Sequence, residues 1–397
     1  MDLLIIAPND YESLKKKSVL YQYENYRENG YFDNVISFFP LTKRNLKREI
    51  DGNKIFYQLG WQSKFNLLNK FKLMKLFGII ILLIKVLFVF PFIIKKYNIK
   101  IIRATDPYFS GLIGLYFSKL FNIPVVISVH SDYDLCNTSE GLTFKLFGSR
   151  KLAEKLEYFV YKKCDAILPI SQYLINRILL FYPNLNNKFH KFPHGITIED
   201  FDDVEYIDLF AKYDIKIGTK LICYVARLSK EKNCLDIPLI VEKLSKKFEN
   251  FILLVIGDGV ERETIKEMLD KKNLSRYVKL IGFQDKKVVF NARKSADVNI
   301  CLLDGYSLIE AGLSEKPVVG YDVEWHSDLL INEKNAFLVK LHDTETFSKK
   351  LYALLDNQDL SYKLGSELRS FTVKNHEIKN TQIMKQHIYS KVMKEYR

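Results

Sequence analysis

Short apolar runs alternate with helix-forming stretches along nearly the whole chain, and that alternation leaves few folds open: it is the pattern of parallel sheets wrapped by crossover helices. Strand candidates in the first half are 3–7, 35–39, 55–59, 99–104, 125–129 and 166–170. Helical stretches fall at 12–29, 66–97, 109–121, 145–163 and 171–181. The scheme repeats in the second half, with strands expected at 221–226, 251–256, 278–281, 298–302 and 317–320. At 397 residues the chain is long for one core, so two α/β/α domains are expected. The best boundary lies near Pro193–Asp200, giving 1–196 and 197–376 with a last helix over 377–397.

The string DGYSLIEAGLSEKPVVGYD ends an irregular loop and starts a helix, with Tyr306 and Ser307 at the junction and Glu310 one turn inside. Unpaired N–H groups and a partial positive charge at a helix start, here near Ser307 and Leu308, suit phosphate. Arg227 and Lys232 add two cations from the loop after a strand, where ligands of open α/β sheets bind. Glu310 is placed to accept hydrogen bonds from sugar hydroxyls. Two cations, a helix start and a carboxylate suit a nucleotide diphosphate-sugar, such as a UDP- or GDP-sugar.

This ordered set resembles the donor half of retaining glycosyltransferases with the GT-B fold, of the large family-four type. Their pattern is an Arg and a Lys after the first strand of the second domain, Gly-Asp-Gly after a later strand, and paired acidic residues around a loop-to-helix turn. Arg227, Lys232, Gly257-Asp258-Gly259 and Glu310 occupy the matching places, and the likeness extends back through ILPISQYL (167–174) and FPHGI (192–196). It covers most of the chain. The resemblance implies two Rossmann-like domains facing each other across a cleft, the last helix crossing back to the first domain. The donor would sit on the second domain, at Arg227, Lys232, Gly257, Gly282, Phe283, Tyr306, Ser307, Leu308 and Glu310, and the acceptor on the first. Arg227 and Lys232 would neutralise the leaving diphosphate, Glu310 would hold the ribose, and His130, directly after the strand VVISV, would meet the donor sugar. Attack from the front face with retention, no cofactor and no obligatory metal are also implied.

The pattern is broken in two places. The family has Glu, seven residues, then Glu; eight positions before Glu310 stands Leu302, and the nearest acid is Asp304, as if the loop were two residues shorter. Asp304 either takes the first acid's place at the donor sugar or that role is absent. The loop after the first strand, APNDYESLKKK, has no Gly, so phosphate contacts from it are not expected. Gly257 and Gly259 most simply permit a tight turn.

Other polar residues keep two readings each. His130 either approaches the sugar or caps a loop. Asp132 and Asp134 either accept a proton from an acceptor hydroxyl or cap the same loop. Glu324, Trp325 and His326 follow the strand PVVGY: they form a surface loop anchored by Trp, or rebuild the part of the site that the shortened acidic loop leaves open. His194, with Gly195, is expected to shape the turn between domains.

Sixty Lys and Arg stand against 47 acids, a net charge of +13. Biased codon usage and solvated faces explain such an excess; so does attraction to an anionic membrane surface. No nucleic-acid motif accompanies it. The five cysteines are scattered, without metal-cluster spacing. MDLLIIAP opens directly on a strand, so no secretory signal is expected, and the natural setting is the cytoplasm, peripheral to the inner face of the membrane. Leu76 to Ile94, LFGIIILLIKVLFVFPFII, is long enough to span a bilayer, but Lys85 sits near its centre, Pro91 should break a helix there, and a strand follows at once. Three readings stay open: a span, a buried crossover helix, and a helix lying in the membrane interface between flanking lysines. The functional expectation is a glycosyltransferase acting on a glycan or lipid-linked acceptor. A nucleotide-sugar epimerase and a catalytically silent nucleotide-sugar-binding partner are the alternatives.

Overall fold

The computed structural model describes residues 1–16, 30–42, 44–50, 52–60, 72–133 and 148–396. The chain forms two compact units, Met1–Pro193 with Thr381–Arg397, and His194–Asn380.

In the first unit the described elements are β1 (Asp2–Ile6), α1 (Tyr11–Lys16), β2 (Asn34–Thr42), β3 (Leu46–Ile50), β4 (Lys54–Gly60), α2 (Lys72–Lys96), β5 (Ile99–Ala104), α3 (Phe109–Phe121), β6 (Val125–Val129), α4 (Arg150–Lys163), β7 (Ala166–Pro169) and α5 (Gln172–Phe181). The sheet order is β3-β4-β2-β1-β5-β6-β7. Every pairing is parallel except β3 with β4. One face of this sheet buries Leu82, Val86, Phe90 and Ile93 of α2, Ile113 and Phe117 of α3, Val160 and Tyr161 of α4, and Leu174 and Ile178 of α5. The other face packs on the last helix of the chain, through Ile388, Tyr389 and Val392.

Segment 76–94 therefore belongs to a crossover helix between two strands of one sheet, which excludes a span: its ends cannot lie on opposite sides of a bilayer. No described helix is long and apolar enough to cross a membrane. The expected break at Pro91 does not occur; α2 runs through it to Lys96. Lys85 is accommodated by donating its ammonium to the Gly60 carbonyl at the end of β4, at 2.9 Å. Of the helices expected at 12–29, 66–97 and 145–163, residues 17–29, 66–71 and 145–147 lie outside the described residues, as does Asp134.

The second unit holds α6 (Ile198–Asp202), α7 (Leu209–Lys212), β8 (Lys220–Val225), α8 (Ile237–Ser245), β9 (Phe251–Ile256), α9 (Arg262–Lys271), β10 (Val278–Leu280), α10 (Lys286–Ser295), β11 (Val298–Cys301), α11 (Ser307–Leu313), β12 (Val318–Tyr321), α12 (His326–Leu329), β13 (Phe337–Val339), α13 (Thr344–Asp356) and α14 (Gln358–His376); α15 (Ile378–Glu395) runs on into the first unit. Its sheet is parallel, in the order β10-β9-β8-β11-β12-β13. Helices α8, α9 and α13 pack on one face and α10, α11 and α14 on the other. From β8 the chain builds first to one side and then, with β11, to the other. The junction of β8 and β11 is thus the switch point, where the connecting loops part and a crevice opens at the strands' C-terminal ends. Two strands, β3 and β13, were not expected from sequence: β3 is a polar edge strand without an apolar run, and β13 has only three residues.

Tyr389 anchors the last helix. It is fully buried against Phe32 and Phe192 and accepts a hydrogen bond from the Arg103 guanidinium at 2.6 Å. Tyr389→Ala should destabilise the first unit by about 3–5 kcal/mol, the range for removing a large buried ring. Urea unfolding followed by circular dichroism checks this; an unchanged first transition would show that α15 contributes little to that core.

Candidate active site

At the switch point, three loops meet on adjacent strands of the second unit. The first leaves β8 through Ala226, Arg227 and Leu228; the second leaves β9 as Gly257-Asp258-Gly259. They lie backbone against backbone: the Leu228 N–H donates to the Asp258 carbonyl at 3.0 Å and the Glu261 N–H to the Leu228 carbonyl at 3.1 Å. Only glycine permits this approach. A Cβ on Gly257 (φ 140°) would stand 1.9 Å from the Ala226 carbonyl oxygen, and one on Gly259 would stand 2.2 Å from that of Leu228. The two glycines thus admit the neighbouring loop, beyond merely turning the chain. The Gly257 N–H donates to the Gly282 carbonyl at 2.9 Å, which sets Phe283, largely exposed, at the same edge.

Arg227 is exposed and pairs with Glu231 at 2.9 Å, a solvated pair that costs little to exchange for an anionic ligand. Lys232 ends a 3-10 turn, Lys230–Lys232, closed by Asn233 in the left-handed conformation (φ 54°). Asn233 donates its side-chain amide to the Leu302 carbonyl at 3.1 Å, which ties this loop to the third, the loop after β11.

The third loop is built around a cation that the sequence reading missed. Arg293, on α10, is fully buried; its guanidinium donates to Asn299 Oδ1 at 3.1 Å and to the Ser307 carbonyl at 3.4 Å. Asp304 Oδ1 lies 4.0 Å from Arg293 Nη2 and accepts the Ser307 hydroxyl at 2.5 Å. Asp304 Oδ2 is buried and has no hydrogen-bond partner among the described residues. Both backbone groups of Asp304 are held from the loop after β12. The Asp304 N–H donates to His326 Nε2 at 2.8 Å, and Trp325 Nε1–H donates to the Asp304 carbonyl at 2.9 Å. His326 Nδ1–H in turn donates to the Tyr321 carbonyl at 2.9 Å. Burial lowers the His326 pKa against the opposing Asp304 charge, which favours the neutral ring in the tautomer these two bonds require.

Several expectations need correction here. The Asp304 side chain is fully buried beside Arg293, which the sequence did not indicate. His326 is fully buried and so lines no open site; it and the half-buried Trp325 staple the Asp304 backbone. Glu324 takes the left-handed conformation just before them (φ 44°). The Leu308 N–H is not offered to phosphate, since it donates to the Gly305 carbonyl at 3.1 Å. Tyr306 directs its hydroxyl to the Gly195 carbonyl at 3.2 Å. Arg293 left one signal in the sequence: a charge four residues after Val289 and three after Phe290, on the apolar stripe of its helix.

Glu310, one turn into α11, is half-buried. Desolvation pushes its pKa up to about 7, Arg293 and Lys286 oppose the rise, and the Asp304 charge adds to it. Glu310 is thus the carboxylate of this cluster that remains partly open and is poised between protonation states near neutral pH.

On the first unit, His130 follows β6. Ser128 gives its hydroxyl proton to the Ala104 carbonyl at 3.3 Å, so His130 Nε2–H donates to Ser128 Oγ at 3.1 Å. Asp132 accepts from Tyr173 at 2.9 Å and from Arg177 at 3.1 Å. Its carboxylate is thus held in an ion pair with Arg177.

Two family models match the chain: "Glycosyl transferases group 1" over residues 206–371 and "Glycosyltransferase Family 4" over residues 69–200. The alpha-monoglucosyldiacylglycerol synthase of Acholeplasma laidlawii is 27% identical over 62% of this chain and 66% of its own length. Against two further curated glycosyltransferases the match spans only 32% and 53% of their lengths. Among solved structures, sucrose-phosphate synthase from Thermosynechococcus elongatus superposes with a TM-score of 0.75 at 16% identity, covering 99% of this chain and 100% of that one. The Anabaena HepE protein in complex with UDP superposes with a TM-score of 0.71 at 13% identity, covering 98% and 100%. These likenesses establish the GT-B fold.

The raised pKa of Glu310 has a testable consequence for stability. The folded protein holds this proton more tightly than the unfolded chain, whose Glu titrates at its ordinary value of 4.5. The stabilising contribution is complete below that value and is lost as pH rises toward about 7. Glu310→Gln, which mimics the protonated group, should melt with wild type in mild acid and above it at pH ~8. Parallel melting curves across the window would remove the carboxyl from this desolvated setting.

Proposed function

We propose that this chain, which belongs to the GT-B glycosyltransferases of the family-four type, moves a sugar from a nucleotide diphosphate-sugar to a glycan or lipid-linked acceptor in cell-surface polysaccharide or glycoconjugate synthesis. One observation carries the reading: the two cation-bearing and glycine-bearing loops and the helix of Glu310 converge on the switch point of the second unit. Arg227 and Lys232 supply the charge that a leaving diphosphate needs, fixed in place before reaction, so a metal ion is not required for that task. Phe283 offers an exposed ring at the same edge for a nucleobase. Glu310 accepts from the ribose hydroxyls. The resemblance assigns His130 to the transferred sugar and implies front-face attack with retention.

Support for UDP as the nucleotide comes from HepE, whose structure holds it, and for a lipid acceptor from the name of the Acholeplasma relative. The excess of lysine fits work at an anionic membrane, on the cytoplasmic side. The sealed Asp304 favours one second reading, a partner that binds nucleotide-sugar without turning it over. Incubation of the purified protein with labelled UDP- and GDP-sugars separates the cases: transfer or slow hydrolysis supports the enzyme, an epimerised sugar supports an isomerase, and binding alone supports the silent partner.

Arg227→Ala and Lys232→Ala should each lower turnover roughly a hundredfold or more while leaving the melting temperature near wild type, since neither side chain is packed in the core. Near-normal rates in both variants would overturn the assignment. Nucleotide affinity should rise as pH increases through about 7, because ribose hydroxyls donate to the ionised form of Glu310. In Glu310→Gln that rise should vanish; a pH profile identical to wild type would place the ribose elsewhere.

A further inference from the structure

Helices α2, α3 and α4 lie side by side on one face of the first sheet and share one core, with Phe90 of α2 stacked on Phe117 of α3 at 3.8 Å. Each returns the chain to the start of a parallel strand, so all three C-termini lie along the same edge of the sheet. That edge is opposite to the strand ends that carry His130. The last turns bear Lys95 and Lys96 on α2, Lys119 on α3, and Lys162 and Lys163 on α4. Within two turns of those lysines the outward faces carry Phe88 (76% exposed) and Phe92 (60%) on α2, Tyr116 and Leu120 on α3, and Phe159 on α4. Between α3 and α4 runs a groove of about 550 Å³, open to solvent, whose apolar walls include Leu112, Leu115, Tyr116 and Phe159, with Lys119 and Lys163 on its rim and one acid, Asp165, whose carboxylate accepts the Val125 N–H at 2.7 Å.

Lysines in a last helical turn complement the helix dipole and need no further explanation. Exposed aromatic rings beside them do. A dipole does not require them, and water penalises them. Large exposed apolar residues on the second unit, such as Ile217, Val260, Phe283, Leu341 and Tyr362, stand on separate elements. Here they share one edge with five lysines and with no acid in the last turn of any of the three helices. Rings and leucines ringed by ammonium groups match the boundary between acyl chains and anionic head groups.

We propose that this three-helix edge docks on an anionic lipid bilayer, and that the α3–α4 groove seats a lipid chain with Lys119 and Lys163 meeting the phosphate of its head group. The inference rests on the reading that the protein works at a membrane and adds where it touches: the edge opposite His130, so that bilayer contact holds the enzyme without covering that side of the sheet. The occupant is a membrane lipid that anchors, not the acceptor.

The test is co-sedimentation with vesicles of phosphatidylglycerol and phosphatidylcholine at low salt, compared with vesicles of phosphatidylcholine alone. Wild type should pellet with the anionic vesicles and be released by high salt. Lys119→Gln with Lys163→Gln should weaken partitioning roughly tenfold or more, from the loss of two interfacial charges. Tyr116→Ser with Phe159→Ser should weaken it at every salt concentration. Thermal shifts with UDP should be unchanged in all variants, which also shows that they fold. Wild type remaining in the supernatant would overturn the membrane reading and this docking edge together. Groove variants that bind as wild type, while Phe88→Ser with Phe92→Ser does not, would leave the membrane reading standing and overturn the groove. Equal binding to uncharged vesicles would overturn the role of the lysines.

Discussion

Burying the Arg293 guanidinium shapes the whole site around it. A cation without access to water costs several kcal/mol unless acceptors surround it. The acceptors come from one short stretch of chain: Asn299 on β11, the Ser307 carbonyl at the start of α11, and the Asp304 carboxylate in the loop between. Satisfying Arg293 therefore sets the path from β11 into α11. The Asp304 backbone, fixed by Trp325 and His326, holds that path from outside, so the shortened loop is braced on both flanks.

Two carboxylates share this one cation, and they are not equivalent. Asp304 lies against Arg293 and takes the Ser307 hydroxyl; Glu310 lies at the margin, half-buried, with desolvation and the Asp304 charge both raising its pKa. The same geometry sets Arg293 apart from Arg227, which is exposed, and Lys232, which is half-buried. Arg293 is spent inside the fold, and a ligand could reach it only by dismantling the loop.

Much of the architecture was legible because it rests on local signals. Apolar runs placed most strands of both sheets to within a residue or two, and the glycines of Gly257-Asp258-Gly259 marked a tight turn. What was hidden depends on partners distant in sequence. β3 is polar and exists by pairing with β4; β13 is three residues long and exists by pairing with β12. Arg293 is one charge on an apolar stripe, and only Asn299, Asp304 and Ser307 explain why it is tolerated. Trp325 and His326 sit at a strand's end, as ligand-facing residues often do, yet their hydrogen bonds run inward to Asp304. Period and composition cannot distinguish those directions. Segment 76–94 shows the same limit: its apolar content exceeds one buried stripe, but which residues face the sheet is decided by packing against Phe38 and Phe117.

The two-residue shortening between Asp304 and Glu310 acquires a physical meaning from these contacts. In the family pattern two acids stand eight positions apart. Here the segment sets Asp304 three residues before Ser307, whose hydroxyl its carboxylate accepts. It also draws that carboxylate under the helix toward Arg293. In that place the carboxylate compensates a buried charge, and its Oδ2 is buried and without a hydrogen-bond partner among the described residues. Reaching it would require the Asp304 loop to move, and such a movement is opposed by two ring nitrogens, of His326 and Trp325, and by the Ser307 hydroxyl. Any ligand that opened this loop would have to replace those bonds at once from its own binding energy.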